Sequence, residues 1–164
     1  MDTQNDTQND TQNDTQNLAN PALREVCRQA VLEVLETMFF EIPLDENVPS
    51  PIHEPDALIA CARFDGSMKG WLCVAISHSC ASPLAAGFLG LEEEEVGEEE
   101  CHSMLIELTN IVCGATLSRL EPAGRLHIQQ PVLVESPHTC DSPWLRFPLS
   151  CGSFNAALST GPAS

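Results

Sequence analysis

The chain has 164 residues, a length that fits one globular domain, and 43% of these residues are hydrophobic. Its 24 acidic and 7 basic side chains give a formal net charge of −17, which repels phosphate backbones and anionic lipid headgroups. Charge therefore argues against nucleic acid and membrane surfaces as partners, and favours a basic or mixed-charge protein surface.

Eight cysteines are spread through the sequence without a C-x-x-C pair. Most stand within apolar runs such as CVAIS and IVCGA, where a free thiol packs like a small hydrophobic side chain. No basic and apolar leader of the signal-peptide type opens the chain, and no apolar run approaches the length of a membrane span. We therefore expect a cytoplasmic protein with reduced cysteines.

The first predicted element follows a polar repeat. Residues 2–17 are four copies of Asp-Thr-Gln-Asn, which offer nothing to bury, so we expect residues 1–19 to form a disordered tail and residues 20–160 to form a single domain. Asn20 and Pro21 then form an N-cap with proline at the first helical position. The helix that they begin is predicted to end before Pro43.

Two β-type segments come next, at residues 57–64 and 68–77. The tripeptide DGS joins them and is typical of a hairpin turn. Lys69, the only lysine of the chain, begins the second segment. We interpret it as the charged residue of an edge strand.

A short helix and an acidic segment precede the most informative part of the sequence. Residues 82–83, Ser-Pro, are predicted to begin that helix and Gly90 to end it. Seven glutamates lie within residues 92–100, where they suit the positive end of the helix that follows. Neither this run nor His102 with Glu98 has the ligand spacing of a calcium, magnesium or zinc site.

The stretch SMLIELTNIVCG, residues 103–114, has two different faces when it is placed on a helix. On one side, Ser103, Glu107, Asn110 and Gly114 stack as a single column. Gly114 costs the helix roughly 1 kcal/mol relative to alanine and leaves room for another surface. The apolar residues of the other side have the spacing of a core-facing stripe, and they are Met104, Leu105, Leu108, Ile111, Val112 and Ala115.

Spacing alone leaves the purpose of this column open. An acid and an amide three residues apart are ordinary on a solvated helix face. Ile106, Cys113 and Leu117 flank the column, however, where a solvated helix more often carries charged residues. They indicate either a docking face or coverage by another element of the same fold.

The remaining elements complete the predicted domain. Residues 126–134 are predicted as a strand interrupted by a proline, and residues 144–149 and 153–158 as a closing hairpin. His138 and Cys140 precede this hairpin without the orienting residue that a nucleophilic pair needs. The element order predicts an α+β fold in which two long helices pack on a largely antiparallel sheet.

With these residues identified, the sequence resembles the CheC/CheX family of chemotaxis phosphatases. The family motif is an acid or serine, three residues, glutamate, two residues and asparagine, and it matches Ser103, Glu107 and Asn110. The segment NPALREVCRQAVLEVLETMFF, residues 20–40, resembles the leading helix of the family, and the likeness extends over roughly residues 20–160. That helix lacks a second motif, as is typical of CheX-like members.

The resemblance implies a phosphatase that hydrolyses the aspartyl phosphate of a CheY-type response-regulator receiver domain, in chemotaxis or another two-component pathway. Asn110 would orient the attacking water, Glu107 would pair with a receiver lysine, and Ser103 and Gly114 would contact the partner. Mg²⁺ is expected on the receiver, whereas this chain would hold no cofactor or metal. The resemblance also implies a homodimer in which the sheet continues between subunits.

Two other hypotheses come from different classes of protein. The fold could serve as a non-catalytic receiver-binding or flagellar-motor-type interaction module, although a pure binder has no need for a water-orienting amide. The glutamate-rich segment could instead buffer metal ions. The sequence contains no P-loop, nucleophile elbow or zinc motif, so an enzyme built from this chain would depend on chemistry that its substrate brings.

Overall fold

A computed structural model describes residues 15–44, 56–136 and 142–162 of the chain. Residues 1–14 of the predicted tail, as well as His138 and Cys140, lie outside these ranges. A single 3-10 turn, Glu93–Glu95, precedes the third helix. The other elements are β1 Gln16–Asn17, α1 Pro21–Phe39, β2 Leu58–Gly66, β3 Met68–Ile76, α2 His78–Leu89, α3 Glu98–Leu120, β4 Leu126–Ile128, β5 Val132–Val134, β6 Leu145–Leu149 and β7 Gly152–Pro162.

The seven strands form one sheet, and all of their pairings within the described ranges are antiparallel. The strand order is β1-β7-β3-β2-β4, while β5 also pairs with β2 and β6 pairs with β7. The predicted α+β architecture is confirmed. The interpretation of Lys69 as an edge-strand residue is wrong, because β3 lies between β2 and β7 at the centre of the sheet.

The three helices cover one face of this sheet and enclose the main core. Alternate residues of the central strands point towards the helices, and Phe64, Leu72 and Phe154 are at most 2% exposed. Leu35 of α1 and Leu105 of α3 meet them and are fully buried. Burial of each such side chain contributes roughly 1.5–3 kcal/mol.

The start of α1 is formed as the sequence predicts. Asn20 Oδ1 accepts hydrogen bonds from the backbone N–H groups of Ala22 at 2.9 Å and Leu23 at 3.4 Å. These bonds satisfy two of the backbone donors that a helix leaves free at its N-terminus. Within the described residues, no helix combines the length and hydropathy needed to cross a bilayer.

The fold begins before residue 20, where the sequence placed the domain boundary. Gln16 and Asn17 pair with Thr160 and Ser159 of β7, and Leu18 is fully buried in the main core. The last repeat of the polar segment therefore supplies a short strand. The composition of this segment did not predict the strand, because a polar strand at a sheet edge is held by backbone hydrogen bonds and needs no apolar side chains.

The helix α2 starts at His78, four residues earlier than predicted, and ends at Gly90 as expected. The chain turns directly out of β3 at Ser77, whose hydroxyl accepts a hydrogen bond from the Ser153 N–H at 2.9 Å. Pro83 consequently lies inside the helix. Proline is most common in the first turn of a helix, so the sequence placed the start of α2 next to Pro83. The contact between Ser77 and Ser153 instead makes the helix start earlier.

The other face of the sheet carries a smaller apolar cluster. Ile59, Cys73, Ala75 and Ala157 pack there with Trp144, and each is at most 3% exposed. The central strands are thus buried on both faces, although the helices cover only one of them.

Two disulfides contradict the expectation that all of the cysteines are reduced. Cys61 and Cys73 lie directly opposite each other on β2 and β3, with their Cα atoms 4.1 Å apart. Cys80 of α2 bonds to Cys151, which immediately precedes β7, with a Cα separation of 5.0 Å. Strand register and tertiary packing bring these pairs together, so no local cysteine motif predicts them.

The cysteines at 27, 101 and 113 are free and buried. Burial raises the pKa of the Cys27 and Cys113 thiols to about 12. Both thiols are therefore protonated and unreactive at neutral pH.

Loss of the Cys80–Cys151 bond should reduce stability more than loss of Cys61–Cys73. The two bonds close loops with sequence separations of 71 and 12 residues, for which chain entropy gives about 4 and about 3 kcal/mol. We expect the paired alanine variants to show this order in urea unfolding without reductant. With reductant present, the difference between the variants should become small, and the opposite order would contradict the prediction.

Candidate functional site

The helix α3 is placed by one deeply buried side and a well-capped N-terminus. Glu100 Oε2 accepts a hydrogen bond from the Gly97 N–H at 2.8 Å, and three glutamates in the first turn favour the positive end of the helix dipole. Four of the six residues predicted for the core stripe are buried, whereas Ile111 and Ala115 are only partly buried. Its fully buried members are Met104, Leu105, Leu108 and Val112.

Two threonines share this buried side without leaving a polar group unsatisfied. The Thr109 hydroxyl donates to the Leu105 carbonyl at 2.7 Å, and the Thr116 hydroxyl donates to the Val112 carbonyl at 2.8 Å. Both hydroxyls bond within their own helix, so their burial adds no unpaired donor to the core.

Contact with α1 fixes the C-terminal half of α3. The Arg119 guanidinium pairs with the Glu33 carboxylate of α1 and donates to the Ala115 carbonyl at 2.7 Å. Cys113 and Leu117, which flank the polar column, are buried at 0% and 3% exposure. Of the two interpretations that the sequence left open, a docking face or coverage by another element of the fold, the second is therefore correct for these two residues.

The polar column lies on the outer side of α3. Ser103, Glu107 and Asn110 are exposed, and Gly114 is partly exposed. Side chains three positions apart on a helix have Cβ atoms about 5–6 Å apart, so one partner can meet the Glu107 carboxylate and the Asn110 amide together. Within the described part of the chain, neither side chain forms a hydrogen bond or an ion pair.

Gly114 borders a depression of about 170 Å³ between α3 and β4. A Cβ atom added at Gly114 would meet only Ile128 Cδ1, at 3.9 Å. The floor and far wall include Leu117, Leu126 and Ile128. The sequence indicated an opening at the glycine, but it gave no means of placing β4 beside this turn of α3.

The acidic start of α3 contains one histidine contact. His102 Nε2 lies 3.7 Å from Glu98 Oε1. No cluster of three potential metal ligands occurs in residues 15–44, 56–136 and 142–162. The described side chains therefore give no support to a metal site here.

Several solved structures share this fold. CheX from Desulfovibrio desulfuricans is 18% identical, with a TM-score of 0.65, over 84% of this chain and 97% of that chain. CheX from Vibrio vulnificus is also 18% identical, with a TM-score of 0.66, over 85% of this chain and 99% of that chain. In a complex of CheX with CheY, BeF3 and Mg²⁺ from Borrelia burgdorferi, the matching chain is 17% identical, with a TM-score of 0.64. The match covers 87% of this chain and 98% of that chain.

Sequence comparison gives the more specific result. No curated protein matches the chain. The family model described as "Chemotaxis phosphatase CheX", however, matches residues 58–143, which is more than half of the 164 residues and includes the polar column of α3. The chain therefore belongs to the CheX family of chemotaxis phosphatases.

Proposed function

We propose that this protein hydrolyses the aspartyl phosphate of a CheY-type receiver domain. The observation that carries the proposal is the exposed pair Glu107 and Asn110, one turn apart on α3, whose side chains are not engaged by the described part of their own chain. A chain of the Borrelia complex of CheX with CheY, BeF3 and Mg²⁺ shares this fold. That complex supports a receiver of the CheY type as partner and Mg²⁺ held on that receiver.

Asn110 is the residue that we assign to the attacking water. Its amide oxygen can accept a hydrogen bond from the water while its NH₂ group donates one to a neighbouring oxygen. The water oxygen attacks phosphorus in line with the acyl phosphate bond, which breaks to release the receiver carboxylate and inorganic phosphate. The amide is not consumed, and its contribution is to hold the water in the orientation for attack.

Glu107 is assigned to the contact with the receiver rather than to proton transfer. An exposed carboxylate is a weak general base at neutral pH, but it is well suited to pair with the lysine of a receiver active site. Such a pair would fix the distance between Asn110 and the phosphoryl group. Charge on that group would be neutralised by the receiver's Mg²⁺, so this chain needs no cation of its own.

Ser103 and Gly114 are assigned to partner contact at the two ends of the column. Ser103 lies one turn before Glu107, where its hydroxyl can hydrogen-bond across an interface. Gly114 gives a receiver loop access to the depression beside β4. Neither residue is placed at the reacting atoms.

A homodimer forms part of the proposal, with the sheet continuing from one subunit to the next. The strand β5 pairs with β2 in the register Ile59 to Val134, and Val132 and Leu133 on it are 57% and 40% exposed. An apolar strand of this kind at a sheet edge is suited to pairing with a second copy.

A receiver partner would place the protein in the cytoplasm, where most thiols are kept reduced. The two disulfides, Cys61–Cys73 and Cys80–Cys151, therefore bear on this location. Whether these cysteines are oxidised or reduced in cells would test it. The non-catalytic interaction module stays the alternative, and the Asn110 experiment separates it from the phosphatase.

Replacement of Asn110 by alanine should remove the stimulated release of phosphate while leaving receiver binding within about twofold. Loss of the oriented water is expected to lower the rate by about 100-fold. Phosphate release from a phosphorylated CheY-type receiver with Mg²⁺, with and without the protein, measures the rate. Gln29→Ala, which removes an exposed amide from α1, is the matched control.

Three results would count against this assignment. Loss of binding in Asn110→Ala would make Asn110 an anchor. An unchanged rate would remove its catalytic role, and binding without any stimulation by the wild-type protein would favour the interaction module.

Replacement of Glu107 by glutamine should weaken receiver binding by about tenfold, because the charged partner of the receiver lysine is lost while the shape is kept. The effect should shrink at high salt. Glu36→Gln removes an exposed acid from α1 and should leave the affinity unchanged. Equal affinities for Glu107→Gln and the wild-type protein would discard the lysine pairing.

Two substitutions at Gly114 should have different effects on the stability of the helix and on receiver binding. Gly114→Ala fits the observed space and should raise helix stability by up to about 1 kcal/mol. Gly114→Trp should fill the depression and block the receiver while the circular dichroism spectrum stays native. Normal receiver binding by the tryptophan variant would show that the depression lies outside the interface.

A further inference from the structure

The helix-free face of the sheet contains a cavity of about 280 Å³ that the proposed phosphatase chemistry does not use. Its apolar wall is formed by Trp71, Val132 and the Cys61–Cys73 disulfide, and Arg63 and Gln129 add polar groups. This volume lies near the lower end of the range found for small-molecule sites, about 300–1,000 Å³. The cavity is therefore suited to a compact organic molecule.

The walls of the cavity are held by the sheet itself. Arg63 and Trp71 lie directly opposite each other on β2 and β3, and the disulfide joins the same two strands two residues further along. The buried cluster around Trp144 packs on this face. The backbone of a site made from covalently joined, hydrogen-bonded strands is preformed, and ligand binding has to order the exposed Arg63 side chain.

Arg63 provides the charge that selects the ligand. Within the described residues, its guanidinium forms no hydrogen bond or ion pair. The only acid of β2, Asp65, instead accepts from Gln129 Nε2 at 3.3 Å. The guanidinium is therefore not neutralised by a carboxylate of the described residues, although the chain has a net charge of −17.

We propose that this cavity binds a small aromatic carboxylate. The flat apolar part of the ligand would lie against Trp71 and Val132, and its carboxylate would take the two parallel N–H donors of Arg63. The negative field of the whole protein opposes the approach of anions. Affinity for a carboxylate would consequently depend on Arg63.

The proposal does not rest on the assignment of the α3 column, and its test uses a matched pair of probes. 1-Naphthoate and its neutral carboxamide have the same aromatic body and differ in charge. Titration of the full-length protein, followed by backbone amide shifts in ¹H–¹⁵N spectra, measures both affinities and locates the binding site.

We expect naphthoate to bind at least about tenfold more tightly than the carboxamide, with shifts centred on residues of β2, β3 and β5. Arg63→Gln should lose about tenfold in naphthoate affinity and leave the carboxamide unchanged, as removal of a charge-assisted hydrogen bond predicts. Arg125→Gln removes another exposed arginine without a described side-chain partner and should keep the full preference. Trp71→Ala should weaken both probes.

Four outcomes would overturn the proposal. The first two are the absence of binding to the wild-type protein at millimolar probe, and shifts that map elsewhere. The third is an equal preference for naphthoate in Arg63→Gln and the wild-type protein. In the fourth, naphthoate shifts none of these amides at protein concentrations where sedimentation shows only dimer, and the second copy then covers this face.

Discussion

Burial of one side of α3 against the sheet and α1 is the constraint on which the candidate site depends. Leu105, Leu108 and Val112 are fully buried, and the helix cannot rotate about its axis without exposing them. Each fully buried leucine represents roughly 1.5–3 kcal/mol, which far exceeds the energy of any surface contact of the column. The direction in which Glu107 and Asn110 point is thus determined by residues that touch no partner.

The same packing determines how the ends of α3 behave. The Glu33–Arg119 pair joins its last turns to α1, whereas its first turn is surrounded by glutamates that face water. Cys101 and Met104 near the start of α3 and Leu117 near its end are nevertheless buried in the main core, so packing holds both ends of the helix.

Elements with their own local periodicity were predictable, and elements that depend on distant partners were not. The Asn20 cap, most of the α3 stripe and the β2–β3 hairpin follow from neighbouring residues, and the structure confirms them. The strand β1 exists only because β7 pairs with it. The central position of β3 likewise depends on the last strand of the chain, and Lys69 alone cannot reveal it.

For the site, the sequence predicted which residues face outward but not what surrounds them. Ser103, Glu107 and Asn110 are exposed as their spacing indicates. The depression beside Gly114 needs β4 as its wall, and strand placement is a property of the whole fold. The disulfides and the cavity around Arg63 share this origin, since each joins residues that are neighbours only through sheet register.

The pairing of Gln16 and Asn17 with β7 also settles where an attachment to the N-terminus would enter the domain. In the strand order, β1 stands at the opposite end from β4, while α3 packs on β2, β3, β4 and β5. An affinity tag or fluorescent label placed ahead of residue 15 would therefore join the protein at the end of the sheet opposite β4, away from the proposed docking surface on α3. Such a handle is suited to immobilising the protein for binding measurements without crowding Glu107 or Asn110.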